Sequence, residues 1–137
     1  MSYLVDSNVL CESAKSRAAP AVLSWLADHD ADLHVSVLSL GEMLKGIQLM
    51  DHGNRRREIE GWFQRIESWA ANRLLIIDAS TMSLWGRLYA KHQRAGRKLP
   101  LGDSLLAATA VQHGLTIVTR NIGDFPDDVM LLNPWAS

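Results

Sequence analysis

A chain of 137 residues with a formal charge of −1 has the commonest size for one domain, and it can bury roughly two-thirds of its unfolded surface in one core. Hydrophobic residues at 47% and charged residues at 21% fit a soluble globular protein and exclude a disordered chain, while near-neutrality means that any contact with nucleic acid needs local basic clusters. Cys11 is the only cysteine, which excludes an internal disulfide and a thiolate-rich metal site; without a basic start at Met1-Ser2-Tyr3 or an apolar run of about eighteen residues, a cytoplasmic protein with no membrane contact is expected.

The first element is Tyr3-Leu-Val, which suits a buried strand and runs straight into Asp6-Ser7-Asn8 and then an apolar, helix-compatible stretch. This reads as a strand-to-helix junction with a carboxylate at its mouth. In open α/β sheets ligands sit outside the carboxyl ends of the strands, so Asp6 is placed to floor a site. An Asp here equally suits a helix N-cap, and both uses remain open on this stretch alone.

A short helix is expected over 9–14. Pro20 opens a second, with Val22, Leu23 and Leu26 at helical spacing, and the acidic run 28–32 ends it. A β-prone run, His34-Val-Ser-Val, follows. From Ser36 the period becomes helical, with Leu40, Met43, Leu44 and Ile47 in one stripe. Glu42 lies in the first two turns of that helix. There Ser39-x-x-Glu42 matches a capping box, and Lys45 stands at i+3 for a charge pair.

Gly53 and Asn54 interrupt the pattern before Arg55-Arg-Arg opens a helix on which Ile59, Trp62, Phe63, Ile66 and Trp69 share a face. Most such faces are core, and this one is read mainly so; two tryptophans and a phenylalanine on one helix nevertheless exceed what a small core readily absorbs, which leaves part of the face for a partner. Leu74-Leu-Ile-Ile is the next strand, closed by Asp78. The helix from Ser80 to about Arg94 turns Met82, Leu84, Trp85, Leu88 and Tyr89 inward and Arg87, Lys91 and Arg94 outward.

After a basic turn at Ala95-Gly-Arg97-Lys98, another helix starts near Pro100 and stops at Gly114. Asp103 occupies its first turn, where an acid also suits the positive end of the helix dipole. Ala107, Ala108 and Ala110 then allow close approach to a sheet. Leu115-Thr-Ile-Val is a further strand, ending in Thr119-Arg120-Asn121-Ile-Gly-Asp124, and Met130-Leu-Leu is a last short one before Asn133-Pro-Trp135. Alternating helices and short apolar strands predict one α/β domain over residues 1–137, with a mainly parallel sheet of four to five strands flanked by helices.

Four acids fall where strand ends and helix starts meet: Asp6, Glu42, Asp103 and Asp124. Two carboxylates about 5 Å apart repel by roughly 3 kcal/mol at an effective dielectric of about 20, so such a group needs protons or a cation. All-oxygen ligands favour Mg²⁺ or Mn²⁺, and the corresponding chemistry is metal-assisted phosphodiester hydrolysis. Lys45, Arg97, Lys98 and Arg120 are the candidate phosphate contacts, with Arg87, Lys91 and Arg94 extending a track along one helix.

Asp6-Ser-Asn after the first strand, Glu42 early in a helix, Gly-Asp103-Ser-Leu-Leu-Ala-Ala-Thr-Ala and Thr119-Arg-Asn-Ile-Gly-Asp-Phe resemble the PIN domain over essentially the whole chain. The match is to the VapC/FitB-like toxins of type II toxin–antitoxin systems, with which Asn-Pro-Trp135 also agrees. The resemblance implies a three-layer PIN-like fold and a Mg²⁺- or Mn²⁺-dependent ribonuclease, neutralised by a cognate antitoxin and forming a homodimer or higher oligomer. Carried over by position, Asp6 and Asp103 would be the main metal ligands and Glu42 would complete the set. The fourth position falls to Asn121 or Asp124; Asn121 brings no charge, which favours Asp124. Ser7 and Thr119 would be supporting hydroxyls.

Antitoxins of such toxins lay an apolar segment across helices near the acids, which gives Trp62, Phe63 and Trp69 a place in that contact. The alternative is a catalytically silent PIN-like module that binds RNA or protein. A phosphoacceptor domain would need a Lys after Leu115–Val118, where this chain has Arg120.

Overall fold

The computed structural model describes residues 1–136. Strand β1 (Tyr3–Val5) leads into helix α1 (Ser7–Glu12), α2 (Pro20–Asp28) and β2 (Leu33–Ser36). Helices α3 (Val37–Gln48) and α4 (Asn54–Ala70) connect to β3 (Leu74–Leu75). Helices α5 (Ala79–Arg94) and α6 (Leu101–His113) connect to β4 (Thr116–Val118), and a 3-10 turn at Ile122–Asp124 precedes β5 (Leu131–Leu132). The five strands lie in the order β3-β2-β1-β4-β5, and every pair is parallel. Parallel neighbours require crossover connections, which the helices supply.

Side chains alternate across the pleat, and this divides the core. Tyr3, Val5 and Val118 face one layer with residues of α1, α2, α3 and α4, while Leu4 and Ile117 face the other with Leu106 and Ala110 of α6. That is the three-layer arrangement expected. Strand β3 is shorter than the run Leu74–Ile77 suggested, because it has β2 as its one neighbour and Ile76, 62% exposed, lies beyond the pairing. Asp78, at its end, is consumed by a reciprocal capping box with Thr81 at the start of α5.

The aromatic face of α4 is mostly core, the use favoured on sequence. Trp62 and Phe63 are each 7% exposed and pack against the first layer. Trp62 donates its indole N–H to Ser13 Oγ at 2.9 Å. Trp69 donates to Asp30 Oδ1 at 2.7 Å and carries the Arg73 guanidinium 4.2 Å from its ring centroid. α4 covers α1 and α2 as well as α3, so more apolar area awaits it than one helix pair would offer. Along α6, Ala107, Ala108 and Ala110 are fully buried, and Trp85 of α5 donates to Ser104 Oγ at 2.9 Å. Among the described residues, no helix is long and apolar enough to cross a membrane.

Candidate active site

Because all strands point the same way, their carboxyl ends share one edge of the sheet, and β1 and β4 are adjacent there. Asp6 follows β1 and caps α1, its Oδ1 accepting the Ser7 backbone N–H at 2.7 Å. Its Oδ2 accepts the hydroxyl of Thr119, the residue after β4, at 2.9 Å. One carboxylate thus caps α1 and ties together the ends of β1 and β4. Thr119 Oγ1 also receives Asn8 Nδ2 at 3.3 Å and the Asn121 backbone N–H at 3.1 Å, and Asn8 Oδ1 receives the Arg120 N–H at 3.4 Å. Asn8 was not singled out on sequence; its position one residue past Ser7 was the available signal. Burial raises the Asp6 carboxyl above its ordinary range, against the pull of the Thr119 and Ser7 bonds.

Glu42 projects from α3. The anticipated box with Ser39 does not form, because β2 runs to Ser36 and Ser36 caps the helix, accepting the Leu38 N–H at 3.1 Å. Ser39 lies inside the helix, fully buried, and Glu42 keeps its carboxylate free. Glu42 and the start of α6 approach closely: a Cβ on Gly102 would stand 3.4 Å from Glu42 Oε2. The glycine before Asp103 therefore has a packing role that its place in the motif alone did not reveal.

Asp103 sits in the first turn of α6, beside that contact. Its carboxyl is pushed up to about 6, by burial first and then by the charges of Asp6, Asp124 and Glu42. Glu42 is raised by burial and by Asp6, with Lys45 opposing. Asp124, in the exposed 3-10 turn, completes the group. The charges of Asp6, Asp124 and Glu42 all act on Asp103, so the four acids share one electrostatic neighbourhood.

The donor set is all carboxylate. Cys11 is nearby, but burial and the charges of Asp6 and Glu42 hold its thiol protonated. An Asp103 carboxyl raised by burial and by the charges of three other acids, with a glycine beside Glu42, suits a hard divalent cation. No three of these acids bring their oxygens within 4.8 Å of one another. The trio that does, among the described residues, is His92, Asp127 and Asp128. There Asp128 already binds Lys91 Nζ and, at 2.6 Å, His92 Nε2, an ion network tying α5 to the loop before β5.

The PIN domain family model matches residues 3–127. The chain belongs to the PIN domain family. It is 30% identical to Toxin FitB of Neisseria gonorrhoeae over 135 residues, covering 96% of this chain and 97% of that protein. It is 29% identical to VapC ribonuclease Y4jK of Sinorhizobium fredii over 135 residues, 96% of each. Its fold is similar to that of FitAcB from Neisseria gonorrhoeae, with a TM-score of 0.90, 28% identity, and coverage of 98% of this chain and 99% of that one.

In this PIN domain the acids lie between two clefts. One, of about 330 Å³, runs between α1, α3 and α4, and is lined by Cys11, Met43, Ile47 and Trp62, with Ser7 and Glu42 at its border. The other, of about 400 Å³, lies between the α5–α6 connection and the Ile122–Asp124 turn, and is lined by Arg97, Lys98 and Asp124. Lys45 stands near Glu42, as its effect on that carboxyl shows. The remaining basic residues behave differently. Arg120 lays its guanidinium 4.8 Å from the Trp135 ring centroid, and its charge helps lower the Glu12 carboxyl. Lys91 is committed to Asp128, which removes it from the expected track.

Proposed function

We propose that this PIN domain is a divalent-metal-dependent ribonuclease and the toxin of a type II toxin–antitoxin pair, cutting RNA phosphodiester bonds with Mg²⁺ or Mn²⁺ at Asp6, Glu42 and Asp103. The observation that carries the reading is the raising of all three carboxyls, Asp6 by burial, Glu42 by burial and the charge of Asp6, and Asp103 to about 6 by burial and the charges of Asp6, Asp124 and Glu42. A bound ion would stabilise the charge that builds on the phosphoryl oxygens and supply an activated water. The protein's own part is preorganisation. Asp6 is held by a backbone N–H and the Thr119 hydroxyl, so its orientation does not change with solvent. Asn8 and Asn121 fix Thr119 in turn. Asp124, exposed and electrostatically coupled to Asp103, is the acid that would orient or deprotonate a water arriving from solvent.

The relatives named above include a toxin and a ribonuclease. By the same reading a cognate antitoxin lays an apolar segment in the cleft of Met43, Ile47 and Trp62, ending beside Glu42, and the toxin acts in the cytoplasm as a homodimer. The test is cleavage of single-stranded RNA by the purified protein with Mg²⁺, with Mn²⁺ and with EDTA, alongside Asp103→Asn. Metal-dependent cleavage by the parent and none by the variant is expected. RNA binding without cleavage under any metal would identify the catalytically silent module instead.

A further inference from the structure

The cleft between the α5–α6 connection and the Ile122–Asp124 turn has the opposite character to its apolar counterpart, and the difference lies in which cations are free. On the apolar side Lys15 is bound to Glu12 at 2.9 Å, and Arg55 to Glu58 at 3.2 Å and to the Ala14 carbonyl at 3.1 Å. On the polar side Arg97 and Lys98 are adjacent, exposed, and make no ion pair among the described residues. They share the cleft with Asp124, whose charge reaches Asp103, so this space opens onto the acid group. Its volume of about 400 Å³ lies in the range of small-ligand sites. Buried Leu99 and Phe125 give it an apolar floor, and the fully buried His92, whose Nδ1 has no partner among the described residues, adds a polar group.

We propose that this cleft holds a nucleotide flanking the scissile bond of single-stranded RNA, Arg97 and Lys98 taking its phosphates and the apolar floor its base or sugar. The strand therefore crosses the acids from the α5–α6 side and leaves the apolar cleft to a protein partner. This inference rests on the ribonuclease reading above and adds where the substrate lies. Two free cations placed side by side match a phosphodiester strand, whereas the paired cations of the apolar cleft have their charge already matched.

The probe is a fluorescein-labelled, mixed-sequence single-stranded RNA 12-mer, its binding followed by anisotropy in the Asp103→Asn background so that it stays intact. Two double variants are compared, Arg97→Ser with Lys98→Ser, and Arg17→Ser with Arg65→Ser, exposed residues away from the cleft that remove equal charge. Losing two phosphate contacts in the cleft should weaken binding about tenfold and make the slope of log affinity against log salt shallower by about 1.4, while the Arg17 and Arg65 pair changes neither. In the Asp103 parent, the cleft pair should raise KM by a similar factor with kcat unchanged. Equal losses from both pairs, or no loss from the cleft pair, would overturn the assignment while leaving the ribonuclease reading intact. Failure of the parent to bind or cut RNA would remove both.

Discussion

Thr119 donates its hydroxyl to Asp6 at 2.9 Å across 113 positions of sequence, with both side chains buried. The contact joins the ends of two neighbouring parallel strands and is the point from which the rest of the acid group is braced. Thr119→Val removes the donor and strands a buried carboxylate oxygen. It should cost about 1–3 kcal/mol in urea unfolding and raise the Asp6 carboxyl further, because the lost bond is one that lowers it. Thr119→Ser should restore both, and a Val variant as stable as the parent would show that the bond contributes nothing.

Metal-free stability should depend on pH through Asp103. Its folded carboxyl, near 6, lies above the ordinary value of 3.8, so its contribution is fully present below pH 3.8 and is lost as pH rises through 6. In EDTA at pH 8, Asp103→Asn should therefore melt at a higher temperature than the parent, with the gap closing as pH falls below 6. Adding Mg²⁺ should raise the melting temperature of the parent and far less that of the variant. A gap independent of pH would separate the stability effect from this carboxyl.

Gly102 is within a helix, and only Glu42 Oε2 stands near its missing Cβ, at 3.4 Å. Gly102→Ala should therefore fold as well as the parent or better, by up to about 1 kcal/mol, and lose only part of its cleavage rate. Gly102→Leu should keep the fold but displace Glu42 and lower the rate at least tenfold. Full activity in the Leu variant would show that Glu42 can move without consequence.

The apolar cleft can be blocked without touching the core. Gly46 lines it, and a Cβ added there meets no atom within 4 Å. Gly46→Arg should leave the melting temperature and RNA cleavage unchanged and weaken capture by the cognate antitoxin at least tenfold in calorimetry. Trp62→Ala, by contrast, should cost about 3–5 kcal/mol of stability, because that ring is core. Undiminished antitoxin affinity in the Gly46 variant would place the partner elsewhere.

Much of this molecule can be read from local chemistry. Apolar runs such as Tyr3–Val5 and Leu115–Val118 mark strands because both sheet faces are covered. Pro100 and Gly114 bound α6 because one supplies no N–H and the other adopts φ 65° at little cost. The acids at the junctions, and the family they indicate, follow from motif order alone. Other features depended on partners far along the chain. Ser36, rather than Ser39, caps α3 because pairing of Ser36 with Leu75 makes it the last strand residue, and the run expected to reach Val37 turns helical one residue earlier. Whether the α4 aromatics face solvent depends on α1 and α2, which share no periodicity with them. Arg120 and Lys91 look like free cations in the sequence, and only folding brings Trp135 and Asp128 to them. Charge type is a property of the residue, but its availability is set by which neighbours the topology delivers. For that reason the acids could be named in advance, while the side on which a substrate meets free positive charge emerged only with the tertiary structure.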